Sequence, residues 1–228
     1  MSIIASFIVF LLVLGGAYIF FTSIKLIGIL PKNGSKLVIF DFDGTICDSY
    51  DVVIKIFNSI ANDYGVKQID LLKKQELKSQ SIKDAMNDHG VTLSMLPSLT
   101  RRVRKELSSC IHELKPFEGI RKIIQDLKSS GNNIGILTTN SGSNVKAFLK
   151  ANGMDESFQF IVHGSSVYGK SNILQYIMKK TNLTEYYYIG DEVRDIEAVH
   201  NKDNLYSVAV TWGYNNKLTR TMYKKTAA

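Results

Sequence analysis

The chain has 228 residues, 45% of them hydrophobic and 21% charged, with a formal net charge of +7. That composition suits one or two domains with a real core, and the charge is only modestly basic. Cys47 and Cys110 form no disulfide framework and no zinc spacing, as expected for a reducing compartment.

The first feature is a run from Ile3 to Ile24 with no charged side chain and only Ser6, Thr22 and Ser23 as polar residues. As a helix it would reach roughly 33 Å, enough for a bilayer core. A buried core helix is the alternative, but a soluble helix normally keeps a polar face. A cleaved signal peptide would need a basic start and a small-residue site after the run. The sequence therefore predicts an uncleaved anchor over residues 1–30. Lys25, Lys32 and Lys36 follow the run and no Lys or Arg precedes it, which puts the remainder in the cytoplasm.

Next comes an apolar run, Lys36–Phe40, read as a strand. Between Ser49 and Lys115 there is no strand pattern, only helical ones. Val52, Val53, Ile56, Phe57 and Ile60 recur at helical spacing and stop at Gly65. A shorter helix runs to Gly90, with Ser81 as candidate N-cap. A third, "LTRRVRKELSSCIHELK", ends before Pro116. Its basic cluster Arg101–Lys105 lacks the interleaved aromatics of a single-strand binder and reads as a solvated helix face. This interval, 49–114, is expected to be a small helical domain inserted into an α/β domain formed by 31–48 and 115–228.

From Asn133 onward, strand and helix alternate. Asn133–Thr139, Phe158–Val162, Tyr186–Gly190 and Tyr206–Trp212 are nearly continuously apolar, as in strands covered on both faces of a parallel sheet. Helical segments follow or separate them. The pattern predicts a doubly wound, Rossmann-like α/β fold.

Acidic residues mark the ends of two of these strands. "VIFDFDGT" delivers Asp41 and Asp43 at the end of the first, on the same side by strand alternation. Like charges that close need a cation or a shared proton. "YYYIGDEVRD" supplies Asp191 and Asp195, four apart, on one face if a helix begins there. A single capping Asp would be ordinary; two strands both ending in acid pairs are not. Open α/β sheets bind ligands at strand carboxyl ends, and oxygen-only donors favour Mg2+ over zinc. "ILTTNSG" adds Thr138, Thr139 and Asn140, donors for phosphate oxygens or simply a turn.

"GSSVYGKS", Gly164–Ser171, fits the phosphate-binding pattern G-x-x-x-x-G-K-[ST]. A P-loop normally follows the first strand of its sheet, whereas here about two strands remain to be built. That reading also leaves "DFDGT" and Asp195 without a role. The match is read as a coincidence of spacing, with Lys170 its useful residue.

Together these residues resemble the haloacid dehalogenase superfamily, in its phosphoglycolate-phosphatase-like branch with a helical cap. Asp41-Phe42-Asp43-Gly44-Thr45 matches the first motif, Thr139 the second, Lys170 the third, and Gly190-Asp191 with Asp195 the fourth. "GDEVRDIEA" and "VTWGYN" look like that branch too. After "IEAV", where the family carries small residues and a Gly, stands "HNKDN"; an Asn or Asp can still take a left-handed turn there.

The resemblance implies a phosphatase acting on a small phosphorylated metabolite. Asp41 would be the nucleophile and Asp43 the acid and base. Thr139, Asn140 and Lys170 would bind phosphate. Asp41, Asp43 (by its carbonyl) and Asp191 would hold Mg2+, with Asp195 behind them. The second Asp argues for phosphate esters over carbon–halogen bonds. Alternatives are a phosphotransferase or mutase of the same family, a P-loop nucleotide-binding protein, and an inactive membrane-tethered binding module. The expected partners are the substrate and the membrane, with no nucleic acid.

Overall fold

A computed structural model of the chain describes residues 25–34, 36–73, 82–164, 169–200 and 202–213. The apolar run Ile3–Ile24 lies outside the described residues. Among the described residues no helix is long and apolar enough to cross a membrane.

The five expected strands form one sheet. They are β2 (Lys36–Phe40), β3 (Asn133–Leu137), β4 (Phe160–His163), β5 (Glu185–Gly190) and β6 (Leu205–Ala209). A sixth, β1 (Lys25–Gly28), was not expected. The sheet order is β1-β4-β3-β2-β5-β6. Every pairing is parallel except β1 with β4, which is antiparallel and sets Lys25 opposite His163. The sheet is therefore mixed, with one antiparallel edge, rather than wholly parallel. Residues 25–28, assigned above to the anchor, belong to the α/β fold. The signal was weak because the strand is four residues long and only Ile27 packs against the core, while Lys25, Leu26 and Gly28 are exposed, so no apolar alternation can show in it.

Period-two alternation explains why the central strands read as continuously apolar. In β2, Leu37 and Ile39 pack with Leu137, Val162, Leu174 and Tyr188 on one face. Val38 and Phe40 pack with Ile134, Ile136, Val145 and Phe148 on the other.

The strand ends differ from expectation in a way that matters. β3 stops at Leu137, so Thr138, Thr139 and Asn140 lie beyond it, in the turn that leads into helix α5 (Gly142–Ala151). β6 stops at Ala209. Helix α7 (Val193–Glu197) starts after Asp191, so Asp191 and Asp195 do not share a helical face. They meet because the turn folds back: the Glu192 N–H donates to Asp195 Oδ2 at 3.2 Å. Asn204, with φ 59, takes the left-handed turn before β6, and its carbonyl accepts from Tyr186 N at 2.8 Å.

Between β2 and β3 come α1 (Tyr50–Ile60), α2 (Ile82–His89), α3 (Leu96–Cys110) and α4 (Ile120–Ser129). Helix α1 ends through a 3-10 turn at Gly65, which has φ 64 and donates to the carbonyls of Ala61 and Asn62. The candidate cap Ser81 lies outside the described residues. Pro97 opens α3, where its missing N–H costs nothing. Leu96, Leu99, Val103 and Leu107 form the buried stripe of α3 and share one core cluster with Val53, Ile54, Phe57 and Ile60 of α1. The two chain crossings that lead out to these helices lie side by side. Asp48 N donates to Lys115 O at 3.0 Å, and Phe117 N to Ile46 O at 3.0 Å. Helix α6 (Lys170–Thr181) follows β4 and covers the opposite face of the sheet.

Candidate active site

After β2 the chain goes one way to β3 and returns on the other side to β5. The crevice at such a switch point, at the strand carboxyl ends, is where ligands sit in open α/β sheets. Asp41 follows β2, Thr139 and Asn140 follow β3, and Asp191 follows β5.

Asp41 is held by its own backbone: its N–H donates to Ile189 O at 2.8 Å, and its Oδ1 accepts from Phe42 N at 2.8 Å. Its Oδ2 faces Lys170 Nζ at 2.8 Å, and the same ammonium reaches Asp195 Oδ1 at 2.7 Å. Lys170 is only 2% exposed. Its ammonium lies 5.5 Å from the Tyr188 ring centre, and the Tyr188 hydroxyl donates to Asp195 Oδ1 at 3.3 Å. Burial pushes the Asp41 carboxyl above its ordinary pKa, Lys170 pulls it back, and the Asp195 charge adds to the rise.

Asp191 is wholly buried and accepts from Thr45 Oγ1 at 3.3 Å. One carboxylate oxygen from each of Asp41, Asp191 and Asp195 lies within 4.8 Å of the others. A hard cation with oxygen ligands fits this donor set; a thiol- or imidazole-seeking metal does not. The third carboxylate is Asp195, expected to stand further back, while the side chain of Asp43 turns elsewhere.

Asp43 sits on the other flank. Its carboxylate accepts from Asn140 Nδ2 at 3.0 and 3.3 Å, and from Ser49 Oγ at 3.3 Å. Asn140 has no choice of orientation. Its Oδ1 accepts from Ser141 N at 2.7 Å and from Asn144 Nδ2 at 3.1 Å, so its own NH2 must face Asp43. Burial and the nearby Asp41 charge raise the Asp43 carboxyl to about 6; Asn140, Ser49 and the Arg104 charge oppose the rise. The fixed Asn140 amide thus serves Asp43 rather than standing ready for phosphate.

The structure therefore brings Asp41, Lys170, Asp191 and Asp195 into one buried group, with Asp43 and Asn140 beside it and the half-buried Thr139 lining a cavity with Asn140. Three participants carried no sequence signal as site residues. Tyr188 read as one of three strand tyrosines. Asn144 read as a helix residue; its place one turn after Asn140 was the available clue. Arg104 read as part of a solvated basic face. Arg101, Arg102 and Lys105 are indeed exposed, but Arg104 is half-buried and lines the same cavity as Asn140.

The P-loop alternative leaves unexplained the two carboxylates, Asp41 and Asp195, between which the Lys170 ammonium sits; residues 165–168 of that motif lie outside the described residues.

The family model for haloacid dehalogenase-like hydrolases matches residues 38–210. The chain belongs to that family. Among the relatives of this haloacid dehalogenase-like hydrolase, a phosphoglycolate phosphatase from Synechococcus elongatus is 33% identical over 184 residues, covering 80% of this chain and 86% of the relative. Two solved structures share the fold. A haloacid dehalogenase-like family hydrolase from Streptococcus pneumoniae aligns with a TM-score of 0.67 at 19% identity, covering 83% of this chain and 91% of the other. A predicted phosphoglycolate phosphatase from Haemophilus somnus aligns with a TM-score of 0.64 at 22% identity, covering 81% and 88%.

Proposed function

We propose that this hydrolase is a Mg2+-dependent phosphatase that cleaves a small phosphomonoester through an aspartyl-phosphate on Asp41. The observation that carries the reading is the division of labour between the two aspartates of one turn. Asp41 lies among Lys170, Asp191 and Asp195. Asp43 lies apart, with its carboxyl raised to about 6, where it can be either acid or base near neutral pH.

Asp41 attacks phosphorus, and the bond to the leaving oxygen breaks. Asp43 gives its proton to that oxygen. It then takes a proton from the water that attacks the phosphoenzyme, releasing phosphate and restoring Asp41. Lys170 and Thr139 hold phosphoryl oxygens as charge builds on them. Asp41 and Asp191, with the Asp43 carbonyl and Asp195 beside them, would hold Mg2+. When bound, the ion supplies the positive charge that lets an anionic carboxylate meet an anionic phosphoryl group. The helices of residues 49–114 act as the cap over this site, on the core of 31–48 and 115–228 together with β1.

The relative's name makes 2-phosphoglycolate the first substrate to try. The test is hydrolysis of a panel of phosphorylated metabolites by the full chain, with Mg2+ or with EDTA, beside Asp41→Asn. Turnover that survives EDTA or Asp41→Asn overturns the reading. The anchor over Ile3–Ile24 is part of the same proposal, supported by its charge-free length and the lysines after it. Recovery of the full chain in the soluble fraction of cells would overturn that part.

A further inference from the structure

The helical insertion sends one cation toward the site. Arg104 lies on the inner edge of α3, with Ser108 one turn further on. Together with Thr139, Asn140, Lys25 and His163 they line a cavity of about 430 Å3. That volume suits a small ligand. The cavity adjoins Asp43 through Asn140, whose amide both lines it and binds the Asp43 carboxylate. It is therefore on the leaving-group side of the reaction.

Burial disfavours the charged form of the Arg104 guanidinium, and only the charge of Asp43 opposes that effect. No hydrogen bond or ion pair of its guanidinium is found among the described residues, although Arg102, two residues earlier, pairs with Glu106 at 2.7 Å. A desolvated cation without a partner is costly, and a ligand anion is the natural completion. Asp43 is already engaged by Asn140 and Ser49. Lys25 adds a second positive charge at the cavity wall. His163 is held toward its neutral form by burial and by Lys25 and Lys146, and so contributes a polar edge rather than a charge.

We propose that Arg104 is a specificity-determining residue that binds a carboxylate on the leaving group. The substrate class is then the phosphate ester of a small hydroxy acid. A planar, two-oxygen anion suits the guanidinium fork. The assignment of the cavity to the leaving group rests on the phosphatase reading above.

The test compares 2-phosphoglycolate with 2-hydroxyethyl phosphate, which has the same length and no carboxylate. Both are titrated calorimetrically, with Mg2+, into the full chain carrying Asp41→Asn, alone and combined with Arg104→Gln or Arg104→Lys. The expected result is that Arg104→Gln weakens 2-phosphoglycolate binding about 100-fold, at least ten times more than it weakens the neutral ester. Arg104→Lys, which keeps the charge without the fork, recovers part of the loss. Equal weakening of both esters, or no preference for the carboxylate before Arg104 is changed, overturns the proposal. Hydrolysis by the unaltered chain is read separately. Selective binding without turnover would sink the phosphatase reading and leave the carboxylate subsite standing.

Discussion

Lys170 and Asp41, 129 residues apart, form a buried ion pair with Nζ 2.8 Å from Oδ2. The pair is one half of a bridge, since the same ammonium binds Asp195 at 2.7 Å. Removing the cation leaves two carboxylates facing each other out of water. Losing one partner of a buried pair costs about 3–5 kcal/mol. Lys170→Met is therefore expected to lower unfolding stability in EDTA by that order, read as a shift in urea midpoint. It should also abolish most hydrolysis. A variant as stable as the parent would show that the Lys170 ammonium does not hold the two carboxylates together.

Asp43 gives a pH signature. Its folded-state carboxyl is raised from 3.8 to about 6, by burial first and by Asp41 second. The folded protein therefore holds this proton more tightly than the unfolded chain does. The resulting stability is fully present below about pH 4 and is lost as pH rises through about 6. In metal-free protein, the stability difference between the parent and Asp43→Asn should shift on the order of 2 kcal/mol across that window, allowing for the part-exposed side chain. Denaturation at a series of pH values measures it. A difference that stays flat from pH 4 to 7 would sink the assignment.

The legibility of this site in the sequence depended on how local each signal is. Asp41, Asp43, Gly190 and Asp191 belong to short strand-to-turn junctions, so their chemistry and geometry are written within a few residues. Lys170 was legible as a phosphate-type lysine, but its bond to Asp195 crosses 25 residues and needed the fold. Asn140 read as a phosphate donor because a turn amide looks the same whichever way it faces; Asn144 and Ser141 N–H decide that. Arg104 was hidden in a basic run, since helix periodicity shows which residues are apolar and not which charged neighbour is tilted inward. The edge strand β1 has a single core-packed residue, Ile27, too few to leave a pattern, and it sits directly behind an apolar run that draws the boundary too late.

The carboxylate group predicts a metal-linked stability. Asp41, Asp191 and Asp195 repel one another, with Lys170 offsetting only part of that charge. An ion that binds only the folded state stabilises it by mass action, about 2.7 kcal/mol at a hundred times its dissociation constant. Mg2+ is therefore expected to raise the melting temperature of the unaltered chain measurably by scanning calorimetry. Asp191→Asn should remove most of that rise while leaving the metal-free protein folded. An equal rise in the variant would place the ion elsewhere.

Gly190 tests how closely strand β5 and the second acid pair are fitted. A methyl group built on it would fall on the Cβ and Oδ2 of Asp195. The strand cannot move away, because Gly190 is paired with Ala209 of β6 and its carbonyl accepts from Val210 N at 2.9 Å. Asp195 would have to give instead, and it is the residue tied to Lys170, to Tyr188 and to Glu192 N. Gly190→Ala is expected to cost about 1–3 kcal/mol by overpacking. It should also reduce the Mg2+-linked gain in melting temperature, because the displaced carboxylate is one of the three. Overpacking without a role for Asp195 would lower the metal-free melting temperature and leave the Mg2+ increment as it was. Comparing the two increments in one calorimetric series separates the cases.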